Sequence, residues 1–125
     1  MTKGRVNIRT GSAADFFDRI RGHAERLDRG ESLPAEVNVA FEDPAEMLKV
    51  LTSERVRLLR RAKFGSVPIS DLASGLKRDV RAVSRDVVLL EKAGLLRTSY
   101  RVNPGHGRLK VVEPVAREYR LTANI

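Results

Sequence analysis

The stretch PISDLASGLKRDVRAVSRDVVLLEKAG, residues 68–94, determines the fold that we predict for this chain. It reads as a short helix with Ser70 as its N-cap and an end near Gly75, then a turn and a second helix from about Asp79 to Gly94. Serine and aspartate favour helix starts because their side-chain oxygens accept from free backbone N–H groups. Two helices joined by so short a turn indicate a helix-turn-helix unit.

The second of these helices has two chemically different faces. At about 100° per residue, one face carries only apolar side chains: Val80, Val83, Val87 and Leu90. The nearly opposite face carries Arg81, Arg85, Val88 and Lys92, with Arg78 close by at the helix start. We therefore expect the apolar face to pack on the core and the basic face to be exposed.

A further helical pattern precedes this unit. Asp43 would cap its start, Pro44 would occupy the first turn and Glu46 would close a capping box. Apolar residues then recur at helical spacing up to Gly65, with a break at Thr52-Ser53. The sequence thus predicts one or two helices ahead of the helix-turn-helix.

The chain changes character after Gly94. Residues 95–100 and 109–113 are strand-like, and they flank the glycine-rich segment 103–107, which predicts a β-hairpin. Helices followed by a basic hairpin are the order of a winged helix-turn-helix domain, whose second helix enters the major groove of DNA. We predict an α+β fold of this type, with the hairpin as its wing.

Both ends of the chain add elements to this domain. Val6 and Ile8 indicate a short strand, a helix capped by Ser12 is expected to reach about Arg29 with Gly30 after it, and residues 37–41 form a second strand. A last short strand is expected after Pro114. We predict three segments. Residues 1–42 form an N-terminal strand-helix-strand extension for dimerisation or partner binding, residues 43–113 form the winged domain, and residues 114–125 form a C-terminal strand.

The charge distribution points to a polyanionic partner. Lys and Arg number 24 against 16 Asp and Glu, a formal net charge of +8, and residues 77–125 hold eleven of these basic side chains but only five acidic ones. Neutralised phosphates release counterions, which favours binding to such a surface. The residues that we expect at double-stranded DNA are Ser70, Lys77, Arg78, Arg81, Ser84, Arg85, Lys92, Arg101, His106, Arg108 and Lys110.

These candidates are expected to act in different ways. Arg81 and Arg85 lie one helical turn apart, where they could reach guanine edges or flanking phosphates, and Ser84 could add a weaker contact. Arg101, Arg108 and Lys110 flank the hairpin tip and could lie along the backbone or in a minor groove. His106, between two glycines, is more typical of a solvated loop residue than of a ligand or base.

The sequence also resembles a known family. The motifs, spread over residues 15–97, are Asp15-Phe16-Phe17, Leu27-Asp28-Arg29-Gly30-Glu31, Phe41-Glu42-Asp43-Pro44, Leu51-Thr52-Ser53-Glu54-Arg55 and Arg85-Asp86-Val87-x-x-Leu90-Glu91-x-x-Gly94-Leu95. They are similar to those of prokaryotic winged-helix transcriptional regulators, loosely related to the MarR type and often described as antitoxin-like. The resemblance implies DNA binding and, beyond that, a toxin partner encoded nearby, but no catalytic residues.

Other function classes have little support in the sequence. There is no cysteine, and the two histidines lie in different elements without metal-ligand spacing, so we expect no enzyme activity, metal or cofactor. No apolar stretch suits a signal peptide or membrane span, which favours a cytoplasmic protein. The main alternative is a winged-helix adaptor that binds protein, and RNA binding is a weaker third.

The elements outside the helix-turn-helix carry apolar faces that we expect to be buried against another surface; they are the Val6-Ile8 and Val115-Tyr119 strands and the helix from Ser12 to Arg29. A second copy of the chain would supply that surface, and a two-fold dimer would require a palindromic operator. We therefore expect a homodimeric, autoregulating repressor of the antitoxin-like type.

Overall fold

The computed structural model describes residues 4–11, 18, 21–22, 24–26, 28–30 and 36–125. The elements follow in the order β1 (Arg5–Thr10), β2 (Glu36–Phe41), α1 (Pro44–Val50), α2 (Ser53–Ala62), β3 (Val67–Pro68), α3 (Ile69–Leu76), α4 (Val80–Lys92), β4 (Leu96–Val102), β5 (Arg108–Pro114) and β6 (Glu118–Thr122). Between β1 and β2, the described residues from 18 to 28 are helical, and residues 29 and 30 form a turn in which Gly30 has a φ of +77°. The predicted cap Ser12 lies outside the described residues. No helix within the described ranges is long and apolar enough to cross a membrane.

The strands form two small sheets. One has the order β3-β5-β4 and is antiparallel, and it contains the predicted hairpin. The other has the order β2-β1-β6, and both of its pairings are parallel, with Ile8 opposite Val39 on one side and Leu121 on the other. Parallel neighbours need a long connection, which the helical stretch supplies between β1 and β2. The last strand therefore returns to pair with the first.

The sheets and helices share one hydrophobic core. Val6 and Ile8 of β1, Leu58 of α2, Leu72 of α3 and Val83 of α4 are all buried in the same cluster. Ala116, just before β6, belongs to it as well. The two ends of the chain are thus packed against the helix-turn-helix. The fold is α+β, with the three helices and hairpin of a winged helix-turn-helix, as the sequence predicted.

Helix α1 begins where its predicted capping residue places it. The Asp43 side chain accepts from the Ala45 backbone N–H at 3.0 Å, and Pro44 is the first helical residue of α1. The capping-box prediction for Glu46 is wrong, because its carboxylate pairs with Lys49 at 3.2 Å. The break between α1 and α2 is confirmed, and Thr52 caps α2 there.

Helix α3 differs from prediction at its start. Ser70 is not its N-cap, because Pro68 pairs with Val111 in the sheet and the helix starts at once after it, which leaves Ser70 inside the first turn. The helix ends near Gly75, as predicted: Leu76 is its last residue, and it closes on Lys77 in the left-handed region, at a φ of +55°. Gly75 itself admits the Arg61 guanidinium, which would collide with a Cβ there.

Candidate nucleic-acid interface

Helix α4 separates its buried and basic faces as predicted. Asp79 caps it, accepting from the Arg81 N–H at 3.1 Å. Val83, Val87 and Leu90 are fully buried. The residues of the opposite face, Arg81, Arg85, Val88 and Lys92, are exposed. At 1.5 Å per residue, this basic face extends for about 16 Å along the helix. Val80 departs from the prediction, because at the first turn it is 42% exposed instead of being core.

An ion-pair cluster, which we call the Asp86 cluster, anchors α4 from its side. Asp86 is buried, and its two oxygens bind Arg55 of α2 at 3.0 Å and Arg78 at 2.8 Å. Arg55 also donates to the carbonyl groups of Lys49 and Val50 at the end of α1. One carboxylate therefore links α4 to α2, to the turn before α4 and, through Arg55, to α1.

The cluster changes the interpretation of Arg78. Its guanidinium bonds Asp86 and lies 3.5 Å from a Glu54 oxygen, and its side chain is only 20% exposed. Arg78 thus holds the turn before α4, in contrast to the expected role at DNA. Asp86 itself was missed as a structural centre. Helical spacing places Glu91 of α4 as close to the apolar face as Asp86, and it is the contacts with Arg55 and Arg78 that distinguish Asp86, which is buried, from Glu91, which is exposed.

The hairpin register divides the wing residues between two faces. Tyr100 lies opposite Lys110, and Val102 lies opposite Arg108, so these four share one face. The Arg108 guanidinium carbon lies 4.9 Å from the centre of the Tyr100 ring. Arg101 pairs with Leu109 and belongs to the other face. The three basic residues that were predicted to flank the tip thus do not form a single patch.

A contact between α4 and β4 shows which wing face turns toward the helix. Glu91 of α4 accepts from both the backbone N–H and the hydroxyl of Thr98, at 2.9 and 2.8 Å. Thr98 and Tyr100 are two residues apart on β4 and so point to the same side. The wing face with Tyr100, Lys110 and Arg108 is therefore the face on the same side of the hairpin as α4.

The remaining predicted residues lie at the margins of this surface. Ser70 is exposed on the first turn of α3, and Lys77 is exposed at its end. Ser84 is partly buried on α4. His106 is exposed in the tip, where its backbone N–H donates to the Asn103 carbonyl at 2.9 Å. Among these four, only Ser84 lies on the same helix as the basic face.

Tyr119 holds the base of the wing, a role that the sequence did not reveal. Its hydroxyl donates to the Leu95 carbonyl at 2.6 Å and accepts from the Val115 N–H at 3.2 Å. Burial raises the pKa of this hydroxyl above its ordinary value of 10.0, while the backbone hydrogen bonds act in the opposite direction. Tyr119 thus ties β6 to the junction between α4 and β4.

The described residues hold no group of three or more His, Asp or Glu side chains that could bind a metal ion. The surface consists of exposed cations on α4 (Arg81, Arg85 and Lys92) beside the cations of the β4–β5 hairpin (Arg108 and Lys110). Guanidinium groups on such elements form bidentate hydrogen bonds with phosphate oxygens or guanine edges.

Three solved structures resemble the chain at low sequence identity. A possible transcriptional regulator from Methanosarcina mazei Go1 is 20% identical over 59% of this chain and 66% of that chain, with a TM-score of 0.49. ZitR of Lactococcus lactis, a zinc-responsive MarR family member, is 16% identical over 82% and 66%, with a TM-score of 0.46. A single-residue mutant of ZitR in complex with DNA is 16% identical over 82% and 65%, with a TM-score of 0.42. The chain thus spans just under two thirds of the length of each. No curated protein sequence matches it.

A family profile matches a central part of the sequence. The matched residues are 50–112, which contain α2, α3, α4, β4 and most of β5. The match therefore covers the helix-turn-helix and the wing. The family motifs in the sequence span a different range, residues 15–97, which includes most of the N-terminal extension but not most of the wing. On this match, the chain belongs to the HVO_A0114 family.

Proposed function

We propose that this protein is a sequence-specific transcriptional regulator that binds duplex DNA through α4 and the wing. The observation that carries the proposal is the division of α4, which buries Val83, Val87 and Leu90 and exposes Arg81, Arg85 and Lys92. A helix held by its apolar face and presenting arginines on the other is suited to the major groove of B-DNA, which admits one α-helix.

The geometry of α4 favours base contacts from its first half. Arg81 and Arg85 are one turn apart, about 6 Å along the axis, so that they could meet neighbouring base pairs. An arginine that donates two hydrogen bonds to guanine O6 and N7 discriminates against other bases. The Asp86 cluster fixes the start of α4 and so limits the directions in which Arg81 can reach.

The wing supports phosphate contacts. Arg108 lies over the Tyr100 ring, which restricts its motion without neutralising its charge. Lys110 lies directly opposite Tyr100 on the same face. We assign these two cations to the DNA backbone, where they add affinity without reading sequence.

Selection from a random duplex library tests the proposal. We expect the wild-type protein to enrich a defined motif, and the double variant Arg81→Ala/Arg85→Ala to enrich none. Arg120→Ala is the matched control, since Arg120 is an exposed arginine on β6, outside the proposed interface. It should select the wild-type motif. A wild-type protein that retains no duplex at low or moderate salt would favour the alternative, a winged-helix adaptor for another protein.

We further propose that the regulator acts as a homodimer on a palindromic operator. In the described part of the chain, β2 and β6 are the outer strands of their sheet, and Val37 and Leu121 on them are 43% and 50% exposed. An outer strand with exposed apolar residues favours association with another chain. Light scattering at micromolar concentration should give twice the mass of 14.0 kDa. A mass of one chain would contradict the dimer.

The antitoxin-like role is a separate proposal, supported by the motif resemblance alone. It predicts that the protein represses its own promoter and that the neighbouring small open reading frame encodes a toxin. Expression of that frame should arrest growth, and co-expression of this protein should restore it. A harmless neighbour would contradict the antitoxin role and leave the regulator proposal intact.

A further inference from the structure

A cavity lies between α2 and the parallel sheet, away from the basic face of α4. Its volume is about 320 Å³. Its apolar lining comes from both elements: Ile8 of β1, Leu121 of β6, Leu51, and Val56 and Leu59 of α2. Ile8 and Leu121 are opposite each other in the register, so their side chains form the sheet side of the cavity together. Cavities of this size and character are typical of small-molecule sites.

The polar groups at this cavity are cationic on balance. Arg60 and Lys63 of the α2 region line it, and among the residues that the structure describes Glu118 is its one acidic lining residue. Glu118 is already paired with Arg5 at 3.3 Å, and Arg120 lies 3.9 Å from it. Its charge is therefore compensated from the sheet, and the charges left to meet a ligand are positive.

A second, more open depression adjoins the cavity at Lys63 and Glu118. These two residues line it together with Gly4 and Arg117. Tyr119 lines the apolar cavity too, but its hydroxyl is occupied by Leu95 and Val115, so that it offers its ring and not a hydrogen bond. A ligand would therefore find apolar walls and Arg60 in the cavity, and Lys63 where the two depressions adjoin.

We propose that this cavity binds a small amphipathic anion, with an apolar body between α2 and the sheet and a carboxylate at Arg60 and Lys63. The apolar body would gain from removal of its surface from water, and the carboxylate from charge-assisted hydrogen bonds. A primary amine of the same length would bring a like charge to the same place and would be rejected. The charge of the head group is the feature that the site selects.

The site involves the helix that holds α4. Val56, Leu59 and Arg60 all lie on α2, and Arg55 on the same helix donates to Asp86. A ligand that shifts α2 against the sheet therefore acts on the Asp86 cluster. The binding site itself does not depend on the proposed DNA function, and its test uses the protein without DNA.

Titration with octanoate, octanol and octylamine, each below its micelle concentration or solubility limit, tests the site. Methyl NMR of Ile8, Leu51, Val56, Leu59 and Leu121 reports binding at the cavity. We expect octanoate to shift these signals and to bind about tenfold more tightly than octanol, while octylamine leaves them unchanged. Equal binding of octanoate and octylamine would overturn the proposal. The proposal would also fail if these methyl signals do not shift at octanoate concentrations up to about 10 mM, where even weak binding is detected.

Two kinds of variant locate the ligand. Arg60→Gln/Lys63→Gln should reduce octanoate affinity to that of octanol and leave octanol affinity unchanged, and Arg60→Lys should retain octanoate binding. Leu121→Trp should fill the cavity and abolish binding of both. Val102→Trp is its matched control, because Val102 is exposed on the wing. Octanoate affinity that is unchanged in the double variant would also contradict the site.

Discussion

Helix α4 and the wing both present arginines to solvent, but they hold them by different means. The arginines of α4 belong to a helix whose other face is buried against the core and whose side is fixed by Asp86. The outer part of the wing, from Tyr100 to Arg108, has no buried residue, and the contact that positions Arg108 is with the exposed Tyr100 ring. A rigid support suits discrimination between bases, whereas an adaptable one suits contact with the uniform phosphate backbone.

The largest effect is expected from placing a charge on the buried face of α4. Val83→Asp puts a carboxylate in a fully buried position and should cost more than about 4 kcal/mol of unfolding free energy. Val88→Asp is the matched control on the exposed face, at 39% exposure, and should change stability by about 0.5 kcal/mol or less. Thermal unfolding followed by circular dichroism checks both. Equal losses would contradict the assignment of the two faces.

The support of α4 by the Asp86 cluster gives the next largest effect. Asp86→Ala leaves Arg55 and Arg78 without their carboxylate partner, and we expect a loss of about 2–3 kcal/mol in urea denaturation. Glu46→Ala removes an exposed pair with Lys49 and should cost less than about 0.5 kcal/mol. If the two variants are equally stable, the cluster does not anchor the helix.

The two faces of the wing give a smaller difference. Arg108→Ala should lower affinity for operator and random duplex alike and reduce the slope of log affinity against log salt concentration by about one. Arg101 lies on the other face, and Arg101→Ala should reduce the slope less. Titrations at several salt concentrations measure both slopes. A larger change for Arg101→Ala would reverse the assignment of the faces.

The smallest effect concerns the base of the wing at high pH. The pKa of Tyr119 is raised in the folded protein, so its contribution is fully present below the unfolded-state pKa of about 10 and is lost as the pH rises above it. Tyr119→Phe should cost about 1 kcal/mol at neutral pH, for the lost hydrogen bond, and should weaken the decline of stability above about pH 10. Tyr100→Phe, on a residue that is exposed on the wing, is the control and should retain the decline.

The helices and their faces could be predicted because their signals are local. Asp43, Thr52 and Asp79 each sit directly before the helix that they cap, and the spacing of Val83, Val87 and Leu90 defines the buried face. The error at Ser70 arose because Pro68 pairs with β5, and that contact is distant in sequence.

The parts of the site that were missed depend on contacts between elements. Arg78 looks like a surface cation until Asp86 and Glu54 are brought beside it. The separation of Arg101 from Arg108 depends on the hairpin register, and a shift of one residue would exchange the faces. The parallel pairing of β1 with β6 joins residues from opposite ends of the chain, which spacing along the sequence does not reveal.

The most direct measurement compares the affinity of Arg81→Ala for the selected operator and for a random duplex, each relative to wild type. If Arg81 reads a base edge, the operator affinity should fall by about 1–3 kcal/mol, roughly 5- to 150-fold, and the random-duplex affinity should change little. Arg108→Ala, measured beside it, should lower both affinities by the same factor. Equal losses on the two duplexes for Arg81→Ala would show that α4 does not read sequence.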